Sequence, residues 1–161
     1  MTENILKSYF SISHDETSPP GKNKTIEAAI KLFAKQGYHG TSTLQIAKEA
    51  GVSQATVFKY FKTKEDLLHS IILPVIPKLF LNFLNRTQNT NSLEELISYV
   101  VKDRMVFLKE NKDIVKIIYS EILTNENFKT QLINSLKITF EKIDFKAILQ
   151  TYKKNNPEVN E

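Results

Sequence analysis

The sequence predicts an all-α protein: a three-helix domain containing a helix-turn-helix, followed by a helical bundle. Three observations carry that expectation. The four glycines, Gly21, Gly37, Gly40 and Gly51, all lie in the first third, and none occurs from 52 to 161. Leucine, isoleucine, lysine and glutamate recur through that glycine-free stretch at helical spacing, which suits packed helices. Helix-start signals recur as well: Thr63 with Asp66 three residues on, and Ser92 with Glu95.

Residues 1–21 read as a flexible leader. Ile5, Leu6, Tyr9 and Phe10 would share one face of a short helix, but Ser18-Pro19-Pro20-Gly21 ends regular structure, and a partly disordered arm is expected. Such arms can reach a minor groove; Asp15 and Glu16 argue against it here. The first helix is expected from about Asn23 to Gln36. Ile26, Ala29, Ile30, Phe33 and Ala34 form its apolar stripe, and Gly37 stops it.

The most informative stretch is residues 41–65. Ser42 or Thr43 can cap a helix in which Ile46, Ala47 and Ala50 share one face. Ala47 is small where a second helix must cross. Gly51 stands where a left-handed backbone is wanted, and Ser53 is placed to cap the next helix. Val57 and Phe61, four apart, pack inward with Tyr60 partly so, leaving Gln54, Ala55, Thr56, Phe58 and Lys59 on or near the outer face. An ordinary helical hairpin would need only some of these residues; here they occur together, in the layout that places a short helix in the major groove of DNA.

Thr63 and Asp66 start a fourth helix, continued by Leu67, Leu68, Ile71 and Ile72. Pro74 and Pro77 then predict a break or bend near Leu73, either a hinge or a fixed bend, because each proline removes a helical hydrogen bond. Ser92-Leu93-Glu94-Glu95 begins a helix to about Lys109, with Leu93, Leu96, Ile97, Val100, Val101 and Leu108 inward. Ile114 to Leu123 is densely apolar and expected to be buried. Residues 128–142 form a helix bearing Leu132, Ile133, Leu136 and Phe140. A last helix from Asp144 to Tyr152 precedes a polar end. The domain reading is a leader over 1–21, a DNA-binding unit over 22–70, a regulatory and dimerisation unit over 71–153, and a polar tail over 154–161.

The flanks of the motif carry a family resemblance. Ala28-Ala29-Ile30-Lys31-Leu32-Phe33-Ala34-Lys35-Gln36-Gly37-Tyr38-His39-Gly40-Thr41-Ser42 precedes it, and Tyr60-Phe61-Lys62-Thr63-Lys64-Glu65-Asp66-Leu67-Leu68 follows. Over about residues 24–70 the chain resembles the DNA-binding domain of the TetR family of bacterial transcriptional regulators. The resemblance implies a homodimer on a palindromic operator of double-stranded DNA, repression relieved by a small apolar or aromatic effector, and a fourth helix linking the two domains. It also implies backbone phosphate contacts at Thr41, Thr43, Tyr60 and Lys64. Phe58 departs from the family, which has tyrosine there; it keeps the ring and loses a hydroxyl that meets phosphate, so a mostly structural role is expected. Family members continue through two long helices that build the dimer interface, so this chain reads either as truncated or as a short variant that dimerises differently.

Charge agrees with the motif. Net charge is +4, and from Lys22 to Lys64 there are 8 basic and 2 acidic residues, so the basic excess lies around the proposed DNA-binding unit, as phosphate neutralisation requires. Cysteine is absent, which removes disulfides and thiolate metal sites and is compatible with a reducing cytoplasm. The longest apolar stretch, Ile71 to Ile76, is too short to span a bilayer, and no membrane partner is expected. His14, His39 and His69 lack metal-ligand spacing, and neither a phosphate-cradling glycine loop nor a nucleophile elbow is present; neither a cofactor nor a catalytic role is expected.

Base reading falls to the second helix of the motif, expected from Gln54 to Tyr60. Gln54 can offer both amide groups to adenine; Ala55 and the Thr56 methyl suit a thymine methyl; Lys59 suits guanine or phosphate. Phe80, Phe83, Tyr99, Phe107, Tyr119, Phe128 and Phe140 are either plain core or the lining of an effector pocket. The alternative function is a helical interaction module that keeps the motif without reading DNA.

Overall fold

The computed structural model describes residues 3–13, 18–87, 90 and 92–141, with isolated positions beyond. Among the described residues there are eight helices and no strand: α1 (Ile5–Ser13), α2 (Pro20–Gln36), α3 (Thr43–Ala50), α4 (Gln54–Tyr60), α5 (Lys64–Thr87), α6 (Leu93–Glu110), α7 (Lys112–Thr124) and α8 (Glu126–Glu141). The protein is all-α. The expected last helix and the tail lie outside the described residues, apart from isolated positions.

Helices α2, α3 and α4 pack on one another, and α5 is the axis on which the rest assembles. Leu67, Leu68, Ile71, Ile72, Val75 and Leu79 of α5 share one core with Ile26, Ile30 and Phe33 of α2, Ile114 and Ile117 of α7, and Phe128 and Leu132 of α8. Burying such side chains stabilises by about 1.5–3 kcal/mol each, before the entropy of ordering them.

Three expectations are corrected. The first is the leader: residues 5–13 are not an arm but helix α1, with Ile5, Leu6 and Tyr9 buried in that same core, packed on α5. Its start is fixed at long range. The amide of Ile5 donates to Asn111 Oδ1 at 2.8 Å, across 106 residues, and Asn111 Nδ2 donates to the Glu3 carbonyl at 2.9 Å. Asn111 is buried in the turn between α6 and α7, so each of these groups satisfies the other away from water. At the far end Lys78 Nζ donates to the Ile12 carbonyl at 2.8 Å.

The second concerns the prolines. Helix α5 is unbroken from Lys64 to Thr87, with Pro74 and Pro77 inside it, so no break occurs near Leu73. The carbonyl four residues before Pro77, that of Leu73, accepts instead from Ser135 Oγ of α8 at 3.4 Å. Running through the prolines also makes α5 the one described helix long and apolar enough to cross a membrane; the apolar side chains named above are spent on α1, α2, α7 and α8.

The third is α6. It is a helix with Ser92 as its cap, as expected, but none of its residues is buried. Leu93, Ile97, Val101 and Leu108, expected inward, are exposed at 47–56%, and Met105 beside them at 64%. Helix α6 is held through its other face, where Tyr99 stacks on Phe83 at 6.2 Å and Arg86 Nε donates to the Tyr99 hydroxyl at 3.0 Å. On α7, Ile114 and Ile117 are buried, whereas Tyr119 and Leu123 are exposed.

Candidate nucleic-acid interface

Each helix of the motif has its own start. Ser42 and Gln45 form a reciprocal capping box on α3: the Gln45 amide donates to Ser42 Oγ at 3.2 Å, and the Ser42 amide to Gln45 Oε1 at 2.8 Å. Gly51 ends α3 in the left-handed region (φ 66°). Ser53 caps α4, accepting from the Thr56 amide at 3.0 Å. Ile46, Ala47, Val57 and Phe61 are buried, which turns the remaining faces of both helices outward.

Of the base-reading candidates, Gln54, Ala55 and Lys59 are exposed on α4, and Thr56 is half-buried. The Thr56 hydroxyl lies 2.8 Å from Ser53 Oγ, and a Cβ added at Gly21, near the start of α2, would stand 3.3 Å from the Thr56 methyl and 3.5 Å from the Tyr60 ring. The start of α2, with Lys22 and Lys24, therefore abuts the flank of α4. Gln54 Nε2 donates to Thr43 Oγ1 at 3.1 Å, joining the starts of α3 and α4. Phe58 does not take the structural place expected of it: its ring is 45% exposed on the outer face of α4. Leu44, which the sequence did not single out, is also exposed, at 62%, in the first turn of α3.

The phosphate candidates separate. Tyr60 is half-buried, with Lys59 Nζ 5.6 Å from its ring centroid. Thr43 is half-buried at the rim, its hydroxyl engaged by Gln54. Thr41 is buried, and its hydroxyl donates to the Gly37 carbonyl at 2.8 Å. Lys64 Nζ donates to the carbonyls of Tyr38 and Thr41, each at 2.9 Å, and lies 4.2 Å from the Tyr38 ring centroid. The ammonium thus ties the loop before α3 to the start of α5. The Tyr38 hydroxyl completes this junction by donating to Glu65 Oε1 at 2.8 Å; burial first, and then that hydrogen bond, push its ionisation well above the usual phenol range. Lys31 pairs with Glu49 between α2 and α3 and holds the Glu49 carboxyl below its ordinary range.

The aromatic residues of the second half fall into three places. Phe80, Phe83, Tyr99 and Phe107 gather between α5 and α6, with Phe80 5.2 Å from Phe140 on α8. The Arg104 guanidinium lies over two of them, 3.8 Å from the Phe83 centroid and 4.8 Å from that of Phe107. Phe128 is apart and buried, 4.3 Å from the His69 ring, whose Nε2 is 2.9 Å from Glu121 Oε2. Tyr119 is on the surface. A cleft of about 380 Å³ opens elsewhere, between the loop 36–40 and the face of α7 bearing Asp113, Lys116, Ile117, Ser120 and Glu121. No sequence signal marked it, because its walls come from segments more than 70 residues apart. Among the described residues no group of three or more histidines, cysteines or acids is placed to hold a metal ion.

Comparison with known proteins places this arrangement. Residues 26–71 match the family described as bacterial regulatory proteins, tetR family. The chain is 26% identical over 117 residues to the fatty acid metabolism regulator protein of Bacillus subtilis, covering 73% of this chain and 60% of that protein. It is 26% identical over 131 residues to the probable HTH-type transcriptional regulator YttP of the same organism, covering 80% and 63%. Its fold is similar to that of the fatty acid degradation regulator FadR from Bacillus halodurans, with a TM-score of 0.50 at 24% identity over 86% of this chain and 72% of that one. The chain thus spans about three fifths of the length of these curated relatives.

Proposed function

We infer that this chain, which over residues 26–71 carries the N-terminal domain of the tetR family of bacterial regulatory proteins, is a sequence-specific DNA-binding transcriptional regulator of the cytoplasm. The observation that carries the reading is the outer face of α4. Gln54, Ala55, Phe58 and Lys59 are exposed together on a short helix whose opposite side is buried, in a segment rich in lysine. Gln54, Ala55, Thr56 and Lys59 form the base-reading group. Tyr60 is the proposed phosphate-side residue, with Thr41 and Lys64 holding the loop before α3 and Thr43 joined to Gln54 at the rim. The unit over 22–70 binds DNA, and the one over 71–153 regulates and dimerises.

The finer reading is a homodimer that represses from a palindromic operator and answers to a small apolar or aromatic molecule. The exposed apolar face of α6 supports association, since patches of this kind mark surfaces made to be covered. The proposed effector site is the aromatic group around Phe83 and Phe107, where a flat apolar ligand would take the place of the Arg104 guanidinium that covers both rings. A mobility shift with DNA from upstream of its own gene tests the reading. Retarded complexes that survive competition by unrelated DNA are expected. No binding to any DNA at low salt, where even non-specific attraction operates, would sink it and favour a helical interaction module.

A further inference from the structure

Three consecutive residues, Thr41, Ser42 and Thr43, carry hydroxyls that go to three different places. Thr41 donates to Gly37 inside the loop, and Ser42 caps α3. Because Ser42 does the capping, the Thr43 oxygen is left to accept from Gln54 Nε2 at 3.1 Å. Thr43 is the first residue of α3 and Gln54 the first of α4, and each helix start is fixed independently by a serine. Thr43 is β-branched, so its hydroxyl has few rotamers in which to sit. The acceptor presented to Gln54 is therefore held by a rigid frame.

We propose that Thr43 is a positioning residue for base recognition: it orients the Gln54 carboxamide so that one edge of it faces DNA. A carboxamide has one acceptor oxygen and two N–H donors. With one N–H held by Thr43, the oxygen and the remaining N–H present an acceptor and a donor side by side. That pair matches the N6 donor and N7 acceptor of adenine in the major groove. The reverse orientation, with the Thr43 hydroxyl donating to the amide oxygen, would present two donors and suit guanine instead. In the orientation seen, with Thr43 Oγ1 accepting, Gln54 favours an A·T pair over G·C at the position it reads. The hydrogen bond also restrains a long exposed side chain before binding, so less freedom is lost on docking. The inference rests on the DNA-reading function above and gives Thr43 a different task from a phosphate contact, which would strengthen every sequence alike.

The experiment uses the full chain and operators selected by it from a random duplex pool. Thr43→Val removes the hydroxyl and keeps the branched shape; Thr43→Ser keeps the hydroxyl; thermal melts verify that both fold. Wild type is expected to prefer A·T at one position, the position where Gln54→Ala loses discrimination. Thr43→Val is expected to reduce discrimination there by roughly three- to tenfold, with affinity for unrelated DNA unchanged. The change should vanish in a Gln54→Ala background, and Thr43→Ser should restore most of the preference. A uniform loss across all sequences, or an effect that adds independently to that of Gln54→Ala, would overturn the positioning role while leaving the regulator reading intact. Selection that recovers no preferred sequence from wild type would overturn both.

Discussion

The Ser135 hydroxyl of α8 lies 3.4 Å from the Leu73 carbonyl of α5, the acceptor that Pro77 leaves without its helical N–H. That contact supplies a donor in place of the helical N–H that Pro77 lacks. It also gives a coupling that can be measured. Ser135→Ala is expected to lower unfolding free energy by about 0.5–1.5 kcal/mol, as for a long but partly buried hydrogen bond. In a Pro77→Ala background, where the amide of Ala at 77 can serve Leu73, the loss should shrink toward zero. Urea denaturation of the four proteins reads the cycle, and equal losses in both backgrounds would count against the contact.

Lys64 is the residue for which sequence and structure point to different work. With its ammonium on the carbonyls of Tyr38 and Thr41, Lys64→Met should destabilise the fold by about 1–3 kcal/mol. Operator binding at a temperature where the variant is folded should keep its dependence on salt. A phosphate contact would show the reverse pattern: unchanged stability and a log–log salt slope smaller by about one.

Gln54 and Lys59 should separate by the kind of binding they lose. Gln54→Ala is expected to cost about 1–3 kcal/mol on the preferred operator and little on unrelated DNA. Lys59→Ala should weaken both and lower the salt slope by about one. Fluorescence anisotropy at several salt concentrations gives both numbers; an unchanged operator preference in Gln54→Ala would remove its base-reading role.

Asn111 holds the start of α1. Asn111→Ala leaves the buried amide of Ile5 without an acceptor, at a cost of about 1–3 kcal/mol. Hydrogen exchange should show the loss first in residues 5–9. Exchange there as slow as in wild type would mean that apolar packing alone seats α1.

Tyr38 sets an alkaline limit. Its folded ionisation is raised by burial and by Glu65, so its contribution is complete below the unfolded phenol value of about 10 and is lost as pH rises through the higher folded one. Stability should therefore fall with pH above about 10, and less steeply in Tyr38→Phe. Absorbance titration at the phenolate band should show one of the six tyrosines resisting ionisation until the protein unfolds.

The motif was legible because its determinants are local. Ser53, Gly51, Ala47 and Val57 act within a few residues of their positions, and α4 spans Gln54–Tyr60 as read. What escaped the sequence depended on distant partners. Nothing near Ile5 announces Asn111, and nothing near Pro77 announces Ser135. Periodicity found the apolar side of α6 but not whether anything lies on it: Leu96 and Val100 are half-buried, while Leu93 and Ile97 stand in solvent. Composition likewise gave Lys64 its charge without saying whether phosphate or a carbonyl would receive it.

The bond between Ile5 and Asn111 has a consequence for how the molecule is made. A ribosome delivers the first helix more than a hundred residues before the side chain that caps it. Until the turn after α6 has emerged and docked, α1 has neither its capping acceptor nor a finished groove on α5. The earlier-made segment must therefore wait for the later one before this bond can form, and closing so long a loop carries a larger entropic cost than a local cap would.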